Sequence, residues 1–492
     1  MSFLKITEEL LNETLTENGD KAYNSTLSPC LDYFALVGGK REYVAECAPL
    51  FARAFFEDKN TALKLLFYTR DIRKGLGERR IFRFLINGLS LSYPDVVNKL
   101  VPYIAEYGRY DDLLALLYTP SEDAVIDLIQ DQLEKDLINK KAGKSISLLA
   151  KWLPSINTSN DDARAMARHI ATRLNMSNAD YRKTLSYLRK GIILENDLRE
   201  KSYEFDYAKV PSIAMNKYRQ AFARNDADRY IHYLADVADG KKDMKVDVLD
   251  VVTFIRQVKR TYETPENVEY FEITWDKIVG DSKINKRTLV VRDGSGSMTI
   301  NDALSIADAM ALLTAERLEG EFHDKFITFS SKPELVDLSK SALIRDRVKY
   351  LESFDDWSNT DIQKVYDLIL NVYKSPKFKK EDALEQLLII SDMQFDSCRE
   401  DSGNAELMST FEYFDNEFKK IGYKRPEIVY WNVQARQNNV PVTQNELGVK
   451  LVSGSSKNII DMVTNNDAID PLDFMNKILV TYKFIDELFP KE

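Results

Sequence analysis

The segment LVVRDGSGSM, residues 289–298, is the most informative part of the second half of this chain. A short apolar run ends in an acid, and two serines follow at alternate positions. This pattern predicts a buried parallel strand that delivers Asp293, Ser295 and Ser297 into a loop at its carboxyl end. Carboxylate and hydroxyl oxygens suit Mg²⁺ or Mn²⁺ better than zinc. The segment therefore predicts a divalent-metal site.

Two later segments complete the predicted site. Asn359-Thr360-Asp361 precedes a helical run at residues 362–372, and the buried-strand run LLIIS at residues 387–391 ends in Asp392. We predict that one divalent ion is bound by Asp293, Ser295, Ser297, Thr360 and Asp392. Asp361 and Asp396 are nearby acids that we place outside the ligand set, since one starts a helix and the other lies beyond the strand end. The alternative is that Asp293 and Ser295 only cap the following helix and tighten the turn.

The same residues give no support for catalysis. The second position after Asp293 is a serine, where phosphotransfer chemistry usually needs an acid. No G-x-S-x-G elbow surrounds Ser295 or Ser297, so a serine hydrolase would lack its exposed nucleophile. The three histidines, at positions 169, 232 and 323, are distant in sequence from the three loops. We predict a binding protein with no catalytic residues.

Composition and charge limit the class of protein further. The 492 residues are long enough for two or three domains. The first 250 residues carry 37 basic and 37 acidic side chains, so the rest of the chain carries the whole net charge of −10. An acidic second half fits a metal-binding domain and disfavours nucleic acid there. The three isolated cysteines, with neither a signal peptide nor an apolar span, predict a cytoplasmic protein, or a virion component if the source is viral.

Hydrophobic periodicity divides the chain into two halves. Up to about residue 240, apolar residues recur three and four apart in segments separated by short breaks, which predicts an α-helical domain of HEAT-like helix pairs. After about residue 284, apolar strands alternate with amphipathic helices, which predicts an α/β domain with a doubly wound parallel sheet. The fold class is thus α + α/β. The predicted domains are residues 1–280 (helical repeats), 285–465 (α/β) and 466–492 (a terminal helix).

Several motifs, taken together, carry a family resemblance. LLFYTRDIRKGLGER (65–79), YGRYDDL (107–113) and Val210-Pro211-Ser212 with the later Tyr218 and Ala221-Phe222 resemble segments of TROVE modules. D-x-S-x-S at Asp293 resembles the metal-ion-dependent adhesion site (MIDAS) of a von Willebrand factor A domain. The combination is similar to the Ro autoantigen family of RNA-binding proteins, and more closely to relatives catalogued only as a domain of unknown function in plants, bacteria, phages and large DNA viruses.

The resemblance implies a ribonucleoprotein role. We predict a non-catalytic RNA-binding scaffold for single-stranded or small structured RNA, whose A-type domain holds Mg²⁺ or Mn²⁺ and leaves a metal position for the carboxylate of a protein partner. The candidate RNA-binding residues are clustered and basic: Arg70, Arg73, Lys74, Arg79, Arg80, Arg83, Arg182, Lys183, Arg189 and Lys190. Two alternatives stay open. These clusters are solvated helix faces with local ion pairs to Asp71 and Glu78, or the protein is a structural or virion assembly protein with no RNA ligand.

Overall fold

The computed structural model describes residues 4, 7, 11–262, 264–280, 282–329, 332–354, 361–396 and 410–491, with the backbone alone at residues 265 and 266. Across these residues, no helix combines the length and the apolar composition that crossing a membrane requires. The chain forms two compact units that are interleaved along the sequence. One, the sheet unit, comprises residues 1–69, 74–76 and 246–492, and the other, the helical unit, comprises residues 70–73 and 77–245.

A six-stranded mixed sheet organises the sheet unit. Its strands are β3 (Thr288–Asp293), β4 (Lys325–Phe329), β5 (Leu335–Asp337), β6 (Gln386–Ser391), β7 (Glu427–Asn432) and β8 (Val449–Ser453), in the spatial order β5-β4-β3-β6-β7-β8. The five strands other than β5 run parallel to one another, as predicted. The prediction of a wholly parallel sheet is wrong at one edge, because the short strand β5 pairs antiparallel with β4.

Helices cover both faces of this sheet. Arg292 of β3 donates from Nε to Asp308 of the helix Ala303–Arg317 at 3.0 Å, which places that helix on one face. The strand register aligns Tyr430 of β7 with Val291, so Tyr430 points to the face opposite to that of Arg292. The Tyr430 hydroxyl lies 3.2 Å from the Tyr366 hydroxyl in the helix Ile362–Lys374. Successive strand residues point to opposite faces, so the two helices lie on opposite sides of the sheet. The layering is that of an α/β domain.

The remaining helices of the sheet unit come from both ends of the sequence: Pro29–Leu36, Cys47–Glu57, Lys59–Arg70, Val251–Thr261, Pro265–Val279, Ile344–Glu352, Thr410–Ile421, Asn458–Asn465, Pro471–Leu479 and Phe484–Leu488. Local signals start several of them. Ser28 accepts from the amide of Leu31 ahead of the first helix, and Asp470 caps the amide of Asp473. Where a single terminal helix is predicted within residues 466–492, the structure has two α-helices joined by the 3₁₀ turn Val480–Tyr482.

The N-terminal segment packs against β8. Gly38 donates its backbone N–H to Ser453 Oγ at 2.9 Å, and Ser453 Oγ donates to the carbonyl of Phe34 at 3.2 Å. A Cβ on Gly38 would lie 2.2 Å from the Ser453 carbonyl oxygen, so only glycine permits this approach. Ahead of it, β1 (Glu13–Leu15) and β2 (Lys21–Tyr23) form an antiparallel hairpin. This hairpin reaches the loop after β7, because Tyr23 and Val440 exchange two backbone hydrogen bonds of 2.9 Å.

The helical unit contains only helices and turns among its described residues, as the periodicity of the first half predicts. Its α-helices are Arg79–Ser92, Pro94–Tyr107, Glu122–Lys141, Leu149–Trp152, Asp161–Arg173, Asn178–Arg189, Leu194–Glu200, Ser212–Asn225 and Ala227–Ala238, with 3₁₀ turns at Tyr110–Leu116 and Tyr207–Lys209. The predicted domain limits at residues 280, 285 and 465 stay a prediction, since compact units that interleave along the chain do not test where domains begin.

Candidate metal centre

Two acids meet at the carboxyl edge of the sheet. Asp293 is the last residue of β3, and Asp392 follows the last residue of β6, the strand paired with β3 in parallel register. Parallel neighbours end at the same edge of a sheet, so these carboxylates converge. They do so although Asp293 and Ser391, the residue before Asp392, are 98 positions apart in the sequence. Both residues have no exposed surface. The structure thus places Asp293 and Asp392 at the same sheet edge, and their joint binding of a metal ion stays a prediction.

The loop after β3 folds around the Asp293 carboxylate. Ser295 donates its backbone N–H to Asp293 Oδ1 at 2.9 Å, and Ser391 donates its hydroxyl to Asp293 Oδ2 at 2.6 Å. The hydroxyls of Ser295 and Ser297 lie 3.1 Å apart. Gly294 lies between Asp293 and Ser295, where a Cβ would lie 2.7 Å from Nη1 of Arg292 and would require that side chain to shift. The turn predicted by the alternative interpretation is therefore present, and it brings the serine hydroxyls into the same cluster as the acid.

Asp392 is held from several sides. Its Oδ1 accepts from the amide of Gln394 at 3.2 Å, and its Oδ2 accepts from Nη2 of Arg436 at 2.9 Å. The Ser297 side chain also forms a hydrogen bond with Asp392. The next residue, Met393, has a left-handed backbone with φ of 63°, a conformation that is uncommon for a residue other than glycine and that clusters at functional loops. The serine loop and the Asp392 loop thus form one connected network.

Burial makes negative charge costly at this network. It raises the pKa of Asp293 to about 7, and the neighbouring Asp392 carboxylate contributes to that rise. Burial also raises the pKa of Asp392, although the Arg436 guanidinium opposes this. Two buried carboxylates in mutual repulsion are the arrangement that a cation relieves. The donor set, two carboxylates and two hydroxyls, has the hard-oxygen chemistry that Mg²⁺ and Mn²⁺ prefer, so these residues fit a divalent ion.

The sequence also predicts Thr360 as a ligand and places the nearby acids Asp361 and Asp396 outside the ligand set. Thr360 lies outside the described residues, so its part in the site stays a prediction. Asp361 accepts from the amide of Lys364 at 3.3 Å and caps the helix Ile362–Lys374, and its placement outside the ligand set stays a prediction. Asp396 is half-buried, and burial together with the charge of Asp361 raises its pKa. Over the described ranges, no three His, Cys, Asp or Glu side chains gather as a metal-binding group.

Three residues of this hydrogen-bond network were not predicted from the sequence. Ser391 donates to Asp293, Gln394 orients Asp392, and Arg436 pairs with Asp392. Arg436 follows the strand β7, which neighbours β6, so the order of the strands contains a signal for it. That order cannot be read from one sequence with several strands of similar composition. Ser391 carried a signal too, because it immediately precedes Asp392 in the quoted strand run.

The predicted RNA-binding residues divide into two groups. Three are engaged in the helical unit itself. Arg70 is 2% exposed and donates to Asp112 at 2.7 Å, and Arg83 donates to the other oxygen of Asp112 at 2.6 Å. Arg189 donates to the carbonyl of Ala150 at 2.8 Å. Local ion pairing therefore occurs, with Asp112 as the shared partner of Arg70 and Arg83.

The other members of the set are exposed: Arg73, Lys74, Arg79, Arg80, Arg182, Lys183 and Lys190. Lys74 belongs to the sheet unit and the rest to the helical unit. Arg79 begins the helix Arg79–Ser92, and its pKa is lowered by partial burial and then by the positive charges of Arg109 and Arg83. Asp111 and Asp112 act on that pKa in the opposite direction, so the charges near Arg79 are of both signs. RNA binding by these residues stays a prediction.

These features define a two-part protein, a helical unit and an α/β unit whose sheet edge carries paired acids and serines. Residues 16–124 and 118–287 match the family described as Domain of unknown function (DUF2828), and residues 287–478 match Domain of unknown function (DUF7788). The chain belongs to the DUF2828 family, whose match covers more than half of its length. A similar protein is the Uncharacterized protein L728 of Acanthamoeba polyphaga mimivirus, 31% identical over 514 residues, which span 96% of this chain and 88% of that protein. The expected likeness to relatives of unknown function is confirmed.

Proposed function

We propose that this chain is a non-catalytic binding protein whose sheet edge binds Mg²⁺ or Mn²⁺ and, through the metal, a carboxylate of a partner. The convergence of Asp293, Ser295, Ser297 and Asp392 at one edge carries the proposal. A bound divalent ion would supply positive charge to two buried carboxylates and an open position for an external oxygen ligand. Thr360 is proposed as a further ligand.

We further propose that the sheet unit is a von Willebrand factor A-type domain and that the helical unit is a TROVE-like, HEAT-like array. The strand order, with a single antiparallel edge strand, supports the first assignment. The succession of α-helices joined by short connections supports the second assignment. The family likeness to the Ro proteins remains part of this proposal, because the matched families are of unknown function.

Calorimetry with Mg²⁺ and Mn²⁺ tests the metal site. We expect the wild-type protein to bind one ion and Asp293→Asn to lose at least about tenfold in affinity, since the substitution removes a ligand charge while keeping the shape and the acceptor oxygen. Ser297→Ala is the milder companion variant, and Asp396→Asn is the matched control that removes a nearby acid outside the ligand set. Equal binding by wild type and Asp293→Asn would reduce the D-x-S-x-S segment to a turn.

RNA binding by the helical unit is the second candidate, favoured by the exposed neighbouring side chains Arg79 and Arg80 at the start of the helix Arg79–Ser92. The wild-type protein should bind single-stranded RNA with an affinity that falls steeply with salt, because phosphate contacts release counterions. Arg79→Glu with Arg80→Glu should weaken binding and flatten the salt dependence. Arg83 is left intact, since its pairing with Asp112 stabilises the fold.

The matched control for this experiment is Lys135→Glu with Lys144→Glu, which makes the same charge change at exposed lysines elsewhere in the helical unit. Fluorescence anisotropy at several salt concentrations measures all three proteins. Equal losses in both double variants would indicate a nonspecific charge effect. A wild-type protein that binds no RNA at low salt would leave the alternative, an assembly protein with protein partners alone.

A further inference from the structure

The Asp392 end of the candidate metal centre is connected to the N-terminal hairpin through a closed ring of contacts. Nη2 of Arg436 lies 2.9 Å from Asp392 Oδ2 and 2.8 Å from Glu17 Oε2. Glu17 in turn donates its backbone N–H to Gln394 Oε1 at 2.9 Å. Gln394 donates its backbone N–H to Asp392 Oδ1 at 3.2 Å. One guanidinium nitrogen therefore stands between a proposed metal ligand and a carboxylate of the hairpin.

The hairpin holds Glu17 in this place by further contacts. Thr16 Oγ1 donates to the carbonyl of Phe395 at 2.6 Å, and Asn18 Nδ2 donates to the carbonyl of Gln394 at 2.7 Å. The second strand of the hairpin pairs with Val440, in the same loop that carries Arg436. Gln437 of that loop also donates to Glu17 Oε1 at 3.2 Å. The turn between β1 and β2 is thus fixed to both loops of the sheet edge.

The charges of this ring act on a cation in opposite directions. A guanidinium in contact with Asp392 already supplies that carboxylate with positive charge, and it repels a second cation at the same place. The Glu17 carboxylate neutralises the guanidinium from the other side. Arg436 is 15% exposed at its side chain, so solvent screens these interactions less than at the surface.

We infer that Arg436 is an internal cation that competes with the divalent ion for Asp392, and that Glu17 limits this competition by pairing with the same nitrogen. The inference rests on the proposed metal site and adds a means of adjusting its affinity from the N-terminal hairpin. Arg436 and Glu17 act as positioning residues, since neither belongs to the ligand set. The hairpin thereby sets how tightly the sheet edge holds its ion.

Mn²⁺ titration of the full chain, with the dissociation constant measured by calorimetry, tests the inference. Arg436→Gln keeps a donor for Asp392 but removes the competing charge, so Mn²⁺ should bind about three- to tenfold more tightly. Glu17→Gln keeps the backbone bond to Gln394 but leaves the guanidinium charge unopposed, so Mn²⁺ should bind a few-fold more weakly. In the double variant the effect of Glu17→Gln should disappear, because it acts through Arg436.

The matched controls are Lys420→Gln and Glu381→Gln, which make the same charge changes at exposed side chains of the sheet unit. They should leave the Mn²⁺ dissociation constant unchanged. Thermal unfolding in EDTA distinguishes the proposed competition from a merely structural role of Arg436 and Glu17. A structural role would lower the melting temperature and weaken Mn²⁺ binding in both Arg436→Gln and Glu17→Gln. Both changes in the Mn²⁺ dissociation constant, which have opposite signs, should become smaller as the salt concentration is raised.

The outcomes distinguish this inference from the proposed function. If the wild-type protein binds Mn²⁺ and Asp293→Asn does not, while both ring variants keep the wild-type dissociation constant, the competition by Arg436 is refuted and the metal site stands. If the wild-type protein itself binds no Mn²⁺, the metal site fails and the inference fails with it. Weaker binding in Arg436→Gln would also overturn the inference, because it would assign the guanidinium a supporting role.

Discussion

Among single residues of the sheet unit, several acids are buried, and burial raises their pKa values. Asp20 is 2% exposed and accepts hydrogen bonds from the Thr410 amide at 3.2 Å and the Thr410 hydroxyl at 2.8 Å. Burial nevertheless raises its pKa to about 7, because these bonds and that of the Lys21 amide recover only part of the lost hydration. Unlike Asp293, this acid lies outside the candidate metal centre. Its raised pKa therefore reflects burial first, with a smaller contribution from the charge of Glu412.

Asp20 predicts a pH dependence of stability. A folded pKa above the unfolded value means that the folded state holds the proton more tightly. The contribution of Asp20 is fully present below about pH 4 and is lost as the pH rises through about 7. Relative to Asp20→Asn, the free energy of unfolding of the wild type should fall by about 2–3 kcal/mol between pH 5 and pH 8. Urea denaturation of both proteins at each pH measures the difference, and a difference independent of pH would contradict it.

At the scale of elements, the sequence was most informative where an element was long or fully buried. The strands predicted after about residue 284 are readily recognised at β4 and β7, because their apolar runs are bounded by polar residues on both sides. The short strands β1, β2 and β5 were not predicted, since three residues give too few alternations to recognise. β5 is also exposed at Leu335, which removes the burial signal at an edge.

The candidate site shows the same limit. Its acids and serines could be predicted because each follows an apolar run or a recognisable motif along the chain. Glu17 and Arg436 could not, because their place depends on a hairpin of three-residue strands and on which strand lies beside β6. Contacts between residues about 400 positions apart leave no periodic trace in either segment. Long-range packing, rather than local propensity, decides these positions.

At the scale of the whole molecule, the sheet unit draws on both ends of the chain. Residues 1–69 share it with residues 246–492, and helices of the first segment bury aromatic side chains against the last. Phe34 packs with Phe474 at a ring distance of 6.0 Å, and Phe67 packs with Phe484 at 5.1 Å. The family matches, by contrast, meet at residue 287. Similarity along the sequence and compactness in space therefore divide this chain differently.

This division predicts how fragments behave. Residues 285–492 alone should fail to fold cooperatively, because β8 and the C-terminal helices would expose the apolar surface that Phe34, Tyr68 and Phe67 cover. Residues 246–492 co-expressed with residues 1–76 should instead assemble, since together they contain the whole sheet unit. Circular dichroism melts and gel filtration compare the two preparations, with residues 77–245 as the matched fragment of the helical unit. A soluble, cooperatively unfolding 285–492 fragment would mean that the N-terminal helices contribute little to the stability of the sheet.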